Sequence, residues 1–141
     1  MKIKYIFIGI AVIMVIGIAI GLKMFFKPHA DINKLKTDFT IEASALITEF
    51  QQSETAATTK YSEKVLEISG KLVTKSKLEN GTDLLILEDE MQGISCQLDS
   101  IWAANNQPLI QSLESGQQVK IKGLCKGYLI EIKVSPAVIV K

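Results

Sequence analysis

Two cysteines, one histidine and one run of three carboxylates are the residues of this 141-residue sequence whose chemistry could exceed packing. Cys96 is in phase with Ile94 and Leu98, and Cys125 with Val119 and Ile121, so both thiols face the inside of their strands. In an oxidising compartment they could form a disulfide; otherwise they are two small buried thiols. A bridge needs α-carbons within about 7 Å, and spacing along the chain does not fix that distance. His29 lies outside the region that carries strand and helix patterns, where it reads as a solvated or headgroup-level residue. No histidine is therefore left to activate a Ser, Thr or Cys nucleophile, and familiar hydrolase chemistry is not expected. Glu88-Asp89-Glu90 offers oxygen ligands for a hard cation, but the spaced ligand loop is missing, so it reads as an exposed acidic turn. No enzyme activity, metal or cofactor is expected.

A candidate ligand face remains. Lys120 and Lys122 project outward from one strand, and Trp102 and Tyr128 could stack on bases beside them. The bland alternative is that both rings belong to the core. All sixteen basic residues are lysines, so the bidentate Arg fork that suits phosphate and guanine edges is absent. Setting aside the four lysines around the N-terminal apolar run leaves twelve basic residues against fifteen acidic ones, a charge near −3. That balance opposes a polyanion-binding surface, and nucleic acid is not the expected partner.

The elements that must position these residues fall in a definite order. Thr40 offers an N-cap, and Ile41, Ala45, Leu46, Ile47 and Phe50 form the stripe of an amphipathic helix, continued by Ala56, Ala57 and Tyr61 after a break at Ser53. From Val65 the period becomes two, with Leu66, Ile68 and Leu72 inward. Asn80-Gly81 supplies a turn. Strands follow at Leu84–Leu87 and Ile94–Leu98. Pro108 opens a short helix that Gly116 ends. Two more strands are expected at Gln118–Leu124 and Tyr128–Val134, the second with Ile130 and Ile132 inward, then an extended piece at Ala137–Val140. The glycines fall at bends and turns and form no phosphate-binding loop. A helix between strands three and four is the usual OB arrangement.

Ahead of this lies an uncharged run from Tyr5 to Leu22, bracketed by Lys2, Lys4, Lys23 and Lys27 and prolonged by Met24, Phe25 and Phe26. A membrane-crossing helix needs about 20 apolar residues, so a retained anchor through residues 5–26 of the lipid bilayer is expected. Ala19-Ile20-Gly21 is a poor cleavage site. The charge bias across the run is small and favours the N-terminus inside. The expected organisation is an anchor with basic flanks at 1–27, a tether at 28–39, and a helix plus OB-fold domain at 40–141.

The run Ala45 to Phe50, with Ala56, Tyr61, Lys64, Val65 and Gly70, and then Cys96, Gly116-Gln117, Val119, Lys122-Gly123, Cys125 and Gly127, resembles the tRNA-anticodon-like OB-fold family of bacterial lipoproteins. The resemblance covers about Ile41 to Lys141 and implies a mainly β, five-stranded OB barrel preceded by an amphipathic helix. There is no lipoprotein cysteine, so a transmembrane helix would replace the lipid. Ala137 stands where relatives often carry a cysteine, which puts a transferred disulfide pattern in doubt. The expected function is a non-catalytic, membrane-anchored binding module for a protein, peptide or glycan, with its domain outside the cytoplasm at the plasma (inner) membrane. The competing expectation is a single-stranded nucleic-acid module facing the cytoplasm, with Lys120 and Lys122 on the phosphates.

Overall fold

The computed structural model describes residues 2–25 and 31–141, without the side chains of residues 2–7 and 23–25. His29 and the expected helix break at Lys27–His29 lie outside these residues. The chain forms two compact units, Met1–Ala30 and Asp31–Lys141. The first holds helix α1 (Lys2–Phe25), whose described side chains, residues 8–22, are apolar and exposed all round. No helix among the described residues is long and apolar enough to cross a membrane. The expected span of residues 5–26 runs past the described side chains at both ends.

The second unit begins with β1 (Phe39–Glu42), α2 (Ala43–Gln52) and α3 (Glu54–Tyr61), followed by β2 (Val65–Lys77), β3 (Asp83–Leu87) and β4 (Ile94–Leu98). It ends with α4 (Ser100–Asn105), α5 (Gln107–Ser112), β5 (Gln118–Tyr128) and β6 (Ile132–Val140). The long strand β2 pairs antiparallel with β5 through residues 65–71, then with β3 from Leu72 onward. A register shift between Leu72 and Thr74 marks the change of partner, as a bulge does where a barrel must turn a corner. β3 pairs antiparallel with β4, β4 parallel with β6, and β6 antiparallel with β5. The circuit β2-β3-β4-β6-β5 closes a five-stranded barrel of OB type, with α4 and α5 between its third and fourth strands.

The barrel core is filled from the inward positions of every strand, among them Leu66, Ile68, Leu85, Ile94, Ile121 and Val134. Ala43, Leu46 and Phe50 of α2 bury one helical face in the same core. Gly70 of β2 makes that docking possible, because a Cβ there would lie 2.6 Å from the Cβ of Ala43. Ser53 separates the two helices, as expected, and it also caps α3 by accepting the Ala56 N–H.

Three expectations need correction. Thr40 caps nothing: it lies in β1, which pairs parallel with β2 along Phe39↔Leu66 to Glu42↔Ser69. The sequence Phe-Thr-Ile-Glu is β-branched and alternating, and a free strand edge decided its state. Residues 31–38 are part of the domain, so the boundary at residue 40 moves to 31. Ile32 is buried, and Asp38 exchanges two hydrogen bonds with Val65, accepting its N–H on Oδ2 and donating to its carbonyl. Finally, β5 runs on to Tyr128, Leu129–Glu131 form a turn, and β6 continues unbroken to Val140. Ile130 is consequently 79% exposed rather than inward.

Candidate ligand-binding face

The candidate ligand face divides into three places. Trp102 is half-buried on α4, which starts where the Asp99 carboxylate accepts the Trp102 N–H. Together with Lys120 of β5 it lines a groove of about 510 Å³ floored by Leu109, Leu113, Val119 and Ile139. The Lys120 ammonium is 3.6 Å from the Glu67 carboxylate on the paired strand. Lys122, two residues on, donates instead to the carbonyls of Asn33 and Leu35, clamping the 31–38 segment to the barrel. Tyr128 stacks on Phe50, with ring centroids 5.8 Å apart. The structure thus brings Trp102 and Lys120 together, and gives Lys122 and Tyr128 structural tasks.

Cys96 and Cys125 are free and buried. Both are Cα partners of Val134, one on each side, so strand β6 stands between them. Two strand spacings of ~4.8 Å put the α-carbons roughly 9 to 10 Å apart, beyond the reach of a disulfide. Burial pushes both thiols up, and the Glu131 carboxylate adds to this at Cys96. They are inert core residues.

The acidic turn is also built for structure. Glu88 accepts the Lys71 N–H at 2.8 Å, and Asp89 accepts the N–H groups of Gln92 and Met91 at 2.8 Å each. These bonds hold the Asp89 carboxyl below its usual range. Among the described residues no three His, Cys, Asp or Glu side chains converge as metal ligands would.

Sequence reasoning missed a different groove, of about 350 Å³, across the outer face of β3, β4 and β6. Leu78 of the β2–β3 turn and Glu131 of the β5–β6 turn lie on its rim, with Gln97, Ser135, Lys126 and Lys133 among its lining. Ser135 donates to Gln97 at 3.1 Å, and Lys126 is 3.1 Å from Glu63. In OB barrels this face and these two turns are where oligonucleotides and oligosaccharides lie. The signal available in the sequence was the outward phase of Ser95 and Gln97, between Ile94, Cys96 and Leu98.

The groove carries hydrogen-bonding groups but no aromatic ring. Charges of both signs, Lys126, Lys133 and Glu131, line it, and seven of the twelve lysines in residues 31–141 are engaged. Lys34, Lys60, Lys77, Lys120 and Lys126 face carboxylates. Lys75 donates to the Ile110, Gln111 and Leu113 carbonyls at the end of α5, as Lys122 does to Asn33 and Leu35.

A family model, tRNA_anti-like, matches residues 1–136. No curated protein sequence matches the chain. Among solved structures it is similar to a candidate nucleic acid-binding lipoprotein of Klebsiella pneumoniae, at 15% identity and a TM-score of 0.56 over 82% of this chain and 100% of that one. It is also similar to the asparaginyl-tRNA synthetase of Entamoeba histolytica in complex with asparaginyl-adenylate, at 13% identity and a TM-score of 0.40. That match covers 55% of this chain and 21% of the synthetase. At 15% identity the likeness to the Klebsiella structure is one of fold.

Proposed function

The chain belongs to the tRNA_anti-like family, and from that premise we propose that it is a non-catalytic OB binding module whose β3-β4-β6 groove takes an uncharged polar ligand, a peptide or a glycan. The observation that carries this reading is the lining of the groove: the amide and hydroxyl groups of Gln97, Ser95 and Ser135 lie among charges of both signs, Glu131, Lys133 and a Lys126 already paired with Glu63, and no ring is there to stack a base. Glycan and peptide recognition uses directional hydrogen bonds of this kind, whereas a single strand of nucleic acid needs stacking and unpaired cations. Fold alone would not choose between them.

The module is held at a membrane by residues 5–26 in this proposal, with its domain outside the cytoplasm at the plasma membrane. Support comes from residues 8–22 of α1, which are apolar and exposed on every side, since a helical stretch apolar all round is otherwise found buried. Fractionation with carbonate and detergent extraction tests the anchor: release by carbonate alone would refute it.

For the groove, the full chain in nanodiscs is titrated with neutral oligosaccharides and uncharged peptides by calorimetry, alongside Gln97→Leu, which keeps the side chain's bulk and removes its amide. Saturable binding lost in the variant is expected. Binding that survives Gln97→Leu unchanged would place the ligand elsewhere.

A second reading, a single-stranded nucleic-acid module facing the cytoplasm, is favoured by two lysines on the same face, Lys126 and Lys133, and by what the Klebsiella structure is said to bind. It predicts salt-sensitive oligonucleotide binding weakened by Lys133→Gln.

A further inference from the structure

The β4 and β6 strands are parallel and start in register at Ile94↔Ile132, so the turns that precede them lie side by side at one end of the barrel. The Ile132 N–H donates to the Gly93 carbonyl at 3.3 Å and ties them together. Met91 is 79% exposed on the first turn, and Leu129 and Ile130 are 78% and 79% exposed on the second. Within residues 31–141 these are the most exposed large apolar side chains; Ile101 follows at 64%.

Nothing in turn formation requires them. Tight turns draw on Gly, Asn, Asp and Pro, and adjacent Leu and Ile at a hairpin tip cost solubility without helping the backbone. Nor is the first turn slack. Asp89 holds the N–H groups of Met91 and Gln92. At Gly93 a Cβ would meet the carbonyl oxygens of Asp89 and Leu87, so the chain is folded back tightly on itself there. Met91 is therefore presented from a fixed backbone.

The charge around the tips is one-sided. Asp89, Glu90 and Glu131 belong to the same two turns, and none of them is in an ion pair among the described residues. Among the described residues the exposed Lys133 is the cation beside them without a carboxylate partner, since Lys126 is held by Glu63. An acidic collar opposes an anionic lipid surface and favours a basic partner. We propose that this barrel end is a docking surface for a protein segment that carries aliphatic side chains flanked by Lys or Arg. It borders the groove at Glu131 but does not depend on what the groove binds.

The test follows the methyl resonances of Met91, Leu129 and Ile130 in the full chain in neutral nanodiscs, with a synthetic Leu/Lys peptide and a Leu/Glu peptide of equal length as probes. The Leu/Lys peptide is expected to shift these methyls saturably and the Leu/Glu peptide to leave them unmoved. Leu129→Ser with Ile130→Ser should weaken the first peptide about tenfold or more, as loss of anchor residues does. Glu90→Lys with Glu131→Lys, which leaves the apolar tips intact, should weaken it too and admit the Leu/Glu peptide. Equal binding of both peptides would overturn the proposal. So would shifts confined to other methyls, shifts on dilution that reveal a second copy of the chain as occupant, or shifts produced by phosphatidylglycerol vesicles in place of the peptide.

Discussion

Gly70→Ala tests how the N-terminal helices are joined to the barrel. The added methyl would stand 2.6 Å from the Ala43 Cβ and 3.2 Å from a Glu88 carboxylate oxygen. Carbon atoms rest at ~3.5 to 4.0 Å, so the start of α2 must retreat by about 1 Å from a core in which Ala43 is fully buried. Overpacking of this kind costs roughly 1 to 3 kcal/mol. For a domain of this size that is a fall in Tm of roughly 4 to 20 °C. The partner substitution Ala43→Gly removes the methyl that is struck, at a cost of ~1 to 2 kcal/mol from lost burial and added backbone freedom. In that background Gly70→Ala should cost close to nothing. Urea unfolding of the two single variants and the double variant gives the coupling directly. If Gly70→Ala destabilises equally in both backgrounds, or not at all, α2 does not pack on β2 as described.

Glu49 accepts hydrogen bonds from the Lys60 ammonium and the Tyr61 hydroxyl, both at 2.9 Å, and Lys60 chiefly holds its carboxyl below the ordinary 4.5. A carboxyl lowered on folding contributes stability that is complete above 4.5 and lost as pH falls through the folded value, so the urea midpoints of wild type and Glu49→Gln should converge on acidification. Both thiols should resist maleimide in the native state and react together once denatured, without prior reduction; a need for reductant would contradict their separation by β6. Lys122→Met should leave the barrel folded while hydrogen exchange quickens across residues 31–38, and unchanged protection there would deny the clamp its role.

What could be read in the sequence was local. The alternation of Ile94, Cys96 and Leu98, the helical positions Leu46, Ile47 and Phe50, and Pro108 opening a helix are each set by neighbours within a few residues, and each is present, whereas Ile41 of the expected stripe lies in β1 and Ala45 is exposed. What could not be read was decided by distant partners. β1 exists because β2 offers it an edge, and residues 31–38 are ordered by Val65 and Lys122, far along the chain. The turn at Leu129–Glu131 lacks Gly, Pro and Asn, so an apolar hairpin tip passed for the middle of a strand. The groove escaped notice because its lining comes from β3, β4 and β6, which only barrel closure brings together. Lys120 and Lys122 share a strand face, but the acceptors that occupy them lie on β2 and in the 33–35 segment.

The central claim is that the β3-β4-β6 groove selects an uncharged ligand and not a polyanion. The direct measurement is affinity against salt concentration for the full chain in neutral nanodiscs, with a short thymidine oligonucleotide compared with neutral oligosaccharides and uncharged peptides. The account predicts binding of a neutral ligand with affinity nearly independent of salt, perturbing the Gln97 side-chain amide, and no oligonucleotide binding even at low salt. Oligonucleotide binding whose logarithm falls by about 0.7 per contacted phosphate for each logarithmic unit of salt, weakened by Lys133→Gln, would contradict it.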